Sequence, residues 1–251
     1  MLTNKEFTTK QIAFDSYKEK IEDEKKYLKR YFSINSVKIK ESNTELEDSL
    51  FAKINKNPDL ESKILDEYEK SFRAINSYYY HSSIALVHTF FESYLILICH
   101  IITENTDTKF NIQLLKGSNN ILLALDYLKL TTGLEKDMID KHMPRLGKFQ
   151  NLRNKIIHEN SCFKNQNDMK KLQNGFKNKI DFDESNLRFF INSDELSIEY
   201  LNKSYLFILK IVDYLSIKEF IIKTNITNNE EIPIIITTSN NSNRCTSLQK
   251  R

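Results

Sequence analysis

A chain of 251 residues with 40% apolar content is long enough for one or two packed domains, and its net charge of +3 permits an anionic partner without requiring one. Only four Gly and three Pro punctuate the whole length, which excludes a turn-rich β architecture and every glycine-rich phosphate loop. Cys99, Cys162 and Cys245 are odd in number and widely spaced, so they read as free thiols of a reducing, cytoplasmic compartment. The first twenty residues lack the apolar run and small-residue cleavage site of a secretory signal.

Residues 5–33 read as an exposed, charged helix. Phe7, Phe14, Ile21 and Leu28 recur at seven-residue intervals, but Lys10 and Glu24 occupy intermediate positions of the seam. The favoured expectation is a helix packed along its own domain, with a dimer coil as the alternative. Residues 1–55 are therefore assigned to an N-terminal helical extension, 56–223 to the main helical domain, and 224–251 to a polar tail.

The main domain starts at Asn57-Pro58-Asp59, an N-cap residue followed by a proline and an acid suited to a first helical turn. Leu60, Ile64, Tyr68, Phe72, Ile75 and Tyr79 trace one helical face. The pattern then runs into "HSSIALVHTFFESYLILICHIITEN", which is apolar nearly all round. His88, Glu92 and His100 interrupt it, and a charge at mid-span costs about 2.5 kcal/mol or more in a bilayer. A central packed helix is expected, with no membrane partner. Tyr78 to Tyr80 point three ways around such a helix, and His81 reads as solvated.

A Gly117-Ser118 break precedes "NNILLALDYLKL" and "GLEKDMIDKHM", and Pro144 is expected to separate the latter from the next helix. Residues 165–193 change character, and "NKIDFDESNLRFFIN" alternates around an Asp-Glu-Ser-Asn turn, as in a β-hairpin insertion. A closing helix runs to about Ile222. Beyond it the polar tail holds one candidate strand, "IPIIITT". The expected fold is all-α: a helical bundle with a small β-hairpin insertion and an N-terminal helical extension.

His88 and Glu92, four residues apart, share a helix face, but no third metal ligand accompanies them and their neighbours are Phe and Leu. A hydrogen-bonded core histidine or buried ion pair is the better reading. His142 reads as solvated. The stretch "LGKFQNLRNKIIHENS", residues 146–161, is more informative. Leu146, Phe149, Leu152 and Ile156 form its buried face, and Arg153, Asn154 and His158 flank that face, with an acid after the histidine.

In this context the stretch resembles the HEPN superfamily (higher eukaryote and prokaryote nucleotide-binding domain). The signature of that family is R-x4-6-H with a polar residue, often Asn, after the arginine. It maps onto Arg153, Asn154 and His158, while the resemblance extends loosely over residues 57–222. It implies a HEPN-type helical bundle and a metal-independent endoribonuclease without a cofactor, acting on RNA. It also implies a homodimer whose two motif helices form a composite site, in antiphage defence or as a toxin with an antitoxin or regulatory protein partner. The alternative is a non-catalytic HEPN module that binds a nucleotide or a partner protein.

The residue types suit that chemistry. Cleaving RNA with its own 2′-hydroxyl requires a group that moves protons, which an imidazole does, and a cation for charge building on the phosphate, which a guanidinium supplies. Asn154 is expected to hold the phosphate or fix the imidazole tautomer. Five helical residues put Arg153 and His158 about 140° apart around the axis, so one helix is expected to present an incomplete cluster. Glu92, the lone acid of the most apolar helix, is the candidate partner that holds Arg153 from behind.

Overall fold

In the computed structural model, residues 9–176 and 179–221 are described, and the architecture they form is all-α with two small antiparallel strand pairs. Phe7, Cys245 and the candidate strand of the tail lie outside the described residues.

Helix α1 spans Asp15–Lys56, well beyond the expected end near residue 33. No Gly or Pro occurs between Asp15 and Asn57, so nothing in the backbone chemistry stops it. Phe14, Ile21, Leu28 and Phe32 are buried in the common core, which bears out the reading of a helix packed along its own domain. The second half of α1 buries little besides Leu50 and pairs with the start of the next helix as a two-helix arm. An Asn43–Asn76 amide pair at 3.1 Å ties the two halves of the arm.

A single 3-10 turn, Pro58–Leu60, leads into α2, Glu61–Asn105. Asn57 precedes the proline as expected, but its side chain makes no capping hydrogen bond. Among the described residues α2 is the one helix long and apolar enough to cross a membrane. Its apolar side chains are instead buried against α1, α3 (Asn120–Thr132), α4 (Lys136–Glu159) and α6 (Glu195–Ser216), so it is the axis of the bundle. Burying even one Leu or Phe side chain is worth about 1.5–3 kcal/mol, and α2 buries many.

Pro144 does not separate two helices: α4 runs straight through it. Pro144 and Asp140, whose carbonyl loses its helical donor, are both exposed, so water meets the orphaned acceptor. Buried Ile139, Leu146 and Phe149 hold both halves of α4 to the same core. A further helix, α5 (Gln166–Gly175), lies at the start of the 165–193 segment, ahead of the expected hairpin, where no helix was expected. Asn165 caps it by accepting the Asp168 N–H at 3.0 Å.

Strand β1 (Thr9–Gln11) pairs with β4 (Glu219–Ile221) and joins the two ends of the described fold. The closing helix therefore stops at Ser216 rather than near Ile222. The expected hairpin is present as β2 (Asp181–Asp183) and β3 (Arg188–Phe190), with Phe182 opposite Phe189. It docks beside the end of α4, where Cys162 bridges to Arg188.

Candidate functional site

The apolar stripe of α4 explains where its polar residues stand. Leu146, Phe149, Leu152 and Ile156 are buried, which places Arg153 at the edge of the core, half-buried, and leaves Asn154 and His158 exposed. Despite the separation around the helix axis, the three side chains meet. Arg153 Nη1 donates to Asn154 Oδ1 at 3.2 Å and lies 3.4 Å from His158 Nε2. The reach of the arginine closes a gap that Cα positions alone leave open. His158 also sits in the last turn, where the helix dipole favours positive charge.

Beneath this cluster runs a line of buried contacts. Phe149 stacks on Tyr200 of α6, with ring centroids 4.6 Å apart. The Tyr200 hydroxyl is 2.8 Å from His88 Nδ1, and His88 Nε2 lies 3.5 Å from Glu92 Oε2. Asn120 at the start of α3 donates to the other Glu92 oxygen. His88 is thus the hydrogen-bonded core histidine that its surroundings suggested. Burial pulls its pKa down, the charge of Arg153 adds to that, and Glu92 opposes both. Burial likewise pushes the Tyr200 phenol up.

Glu92 does not pair with Arg153 directly. Its oxygens go to His88 and Asn120, and the two opposite charges meet through the His88 ring that both influence. Arg153 forms no ion pair among the described residues, and its Nε is buried without an acceptor. A half-buried guanidinium normally recruits a carboxylate, as Arg145 one turn-pair earlier on α4 does. Arg145 binds Glu199 at 2.7 Å and the Gly175 carbonyl at 2.7 Å, and packs over the rings of Phe149 and Phe176.

Compared with models of known protein families, with curated proteins and with solved structures, the chain has no match.

The other candidate groups separate cleanly. Among the described residues no three His, Cys, Asp or Glu side chains cluster as metal ligands would. Cys99 is buried and its thiol is pushed up to about 12, so it is not a nucleophile. His142 is half-buried and stacks on Phe207 at 5.1 Å rather than standing free in water. Tyr78, Tyr79 and Tyr80 are exposed, half-buried and buried in turn, as expected of consecutive helical positions.

His81 differs most from its sequence reading. It is 8% exposed, lies between Ser77 Oγ at 3.0 Å and Ser161 Oγ at 3.1 Å, and packs against the Phe189 ring. Burial pulls its pKa down to about 4, with the Arg188 charge adding to the effect. Ser161 and Phe189 reach it from 80 or more positions away, which is why no local pattern reveals its burial.

Proposed function

We propose that the protein is a metal-independent endoribonuclease of HEPN type, with Arg153, Asn154 and His158 as its catalytic residues. The observation that carries this reading is the convergence of the three side chains around a half-buried arginine that has no carboxylate partner among the described residues. An uncompensated guanidinium costs desolvation energy and contributes no ion pair to stability, so an arriving phosphate is the partner that justifies its position. His158 takes the proton of the attacking 2′-hydroxyl or returns one to the leaving 5′-oxygen. Arg153 meets the charge that builds on the non-bridging phosphate oxygens, and Asn154 orients the guanidinium through the bond at 3.2 Å. Strand scission in this way leaves a 2′,3′-cyclic phosphate and a 5′-hydroxyl.

A second copy of the chain completes the site across a two-fold axis. Ile157, 50% exposed between Arg153 and His158 along α4, lies in the face that such an interface would cover. The biological setting that goes with this reading is antiphage defence or a toxin–antitoxin pair. The experiment is incubation of the purified chain with end-labelled RNA in EDTA, with Arg153→Ala and His158→Ala alongside. Cyclic-phosphate products made by the wild type and lost in both variants are expected. Cleavage abolished by EDTA contradicts the metal-free chemistry, and no cleavage at all leaves a non-catalytic module.

A further inference from the structure

Beyond the end of α4 the chain builds a second feature that the cleavage chemistry does not use. Asn160 and Ser161 both adopt left-handed backbone, with φ of 49° and 60°, a conformation that costs about 1 kcal/mol or more at each non-glycine residue. The turn is held from several sides. The Ser161 N–H donates to the Lys155 carbonyl at 3.0 Å, the Phe189 N–H donates to the Ser161 carbonyl at 3.1 Å, and the Phe163 N–H donates to the Leu187 carbonyl at 2.7 Å. Strand β3 is thereby fastened to the exit of the motif helix. Between this turn, β3 and α2 opens a cavity of about 710 Å³.

The chemistry of its lining is asymmetric. Asp66 is held by Lys70 at 2.6 Å and Glu69 by Arg73 at 3.7 Å. Asp183, opposite Arg188 across the hairpin, gives its oxygens to Ser185 and Asn186. Arg188 is left half-buried on the cavity wall, with no ion pair among the described residues. Tyr78 lines the same cavity, 64% exposed, and its ring stacks on no other aromatic among the described residues.

We infer that this cavity holds a nucleotide of the RNA strand next to the cleavage site, with Arg188 on its phosphate and Tyr78 against its base. The inference rests on the ribonuclease reading for its ligand class. A fork-shaped guanidinium free of carboxylates suits a phosphate, and an unstacked aromatic face accepts any base. Asn160, at the cavity, follows His158 by two residues, so their Cα atoms lie within about 7 Å. That separation leaves the cavity within reach of a strand held at His158.

The test is fluorescence anisotropy of the full chain with a labelled 2′-O-methyl RNA oligonucleotide, which cannot be cleaved through its 2′-oxygen. Arg188→Ala is expected to weaken binding about tenfold or more and to reduce the salt slope by about one. Tyr78→Ala, at an exposed position that folding does not depend on, is expected to weaken it about fivefold or more. Lys136→Ala, at the opposite end of α4 from His158, should bind as wild type. Wild-type affinity in both Arg188→Ala and Tyr78→Ala overturns the proposal, as does Arg188-dependent binding of a polyglutamate peptide without RNA binding. Arg188- and Tyr78-dependent RNA binding without cleavage by the wild type upholds the cavity and sinks the nuclease. His158-dependent cleavage with unchanged binding in the cavity variants does the reverse.

Discussion

Acidification will weaken this fold through one buried imidazole before the bulk of its carboxylates titrate. His81 is held neutral by burial and by Arg188, with a pKa of about 4 against about 6.5 for an unfolded histidine. Because the folded pKa is the lower one, the unfolded chain binds the proton first. The stability that His81 contributes is complete above the unfolded value and drains away as pH falls toward the folded one. A difference of this size amounts to about 3 kcal/mol in total, of which about 2 kcal/mol is gone by about pH 5. The groups facing the ring are Ser77, Ser161, Phe189 and the Arg188 charge, none of which takes up a proton in that range. Urea unfolding followed by circular dichroism, at steps between about pH 7.5 and pH 5, reads the loss directly. His81→Gln, neutral throughout, removes that share of the slope and keeps the parts due to His88 and His142, whose pKa values are also lowered. Parallel pH profiles for wild type and His81→Gln would refute the assignment of this buried, neutral state.

Two further variants probe the line of contacts beneath the motif. Tyr200→Phe deletes the hydroxyl 2.8 Å from His88 Nδ1 and leaves a buried nitrogen unsatisfied, a loss of about 1–3 kcal/mol in denaturant unfolding. Arg145→Ala removes the ion pair to Glu199 and the packing over Phe149 and Phe176, and should cost about 2 kcal/mol. Arg153→Ala removes a guanidinium without a carboxylate partner among the described residues, and should leave the melting temperature unchanged or higher. A stability loss at Arg153 equal to that at Arg145 would mark both arginines as structural.

The helices were legible because their signals are local. Apolar residues at three- and four-residue spacing, with almost no Gly or Pro, place α2, α4 and α6, and the Asp-Glu-Ser-Asn turn places the β2–β3 hairpin. What escaped depends on distant residues. Thr9–Gln11 and Glu219–Ile221 are three-residue strands whose only reason to be strands is each other. Pro144 is a sound stop signal overruled by the core that both halves of α4 share. The α1 arm runs on because nothing breaks it, not because a stripe demands it.

The site divides in the same way. Arg153, Asn154 and His158 stand within six positions, so their proximity was readable, although axis angles alone understated how far the arginine reaches. The links from Tyr200 to His88, and from His81 to Ser161, span 112 and 80 positions. Only the folded bundle brings those pairs together.

RNA cleavage by the purified wild-type chain in EDTA, read as 2′,3′-cyclic phosphate ends against a His158→Ala control of equal thermal stability, bears most sharply on Arg153, Asn154 and His158. Loss of cleavage by about a hundredfold or more in the variant is expected for a group that moves the proton in the transition state. Undiminished cleavage by a folded His158→Ala protein would contradict the assignment.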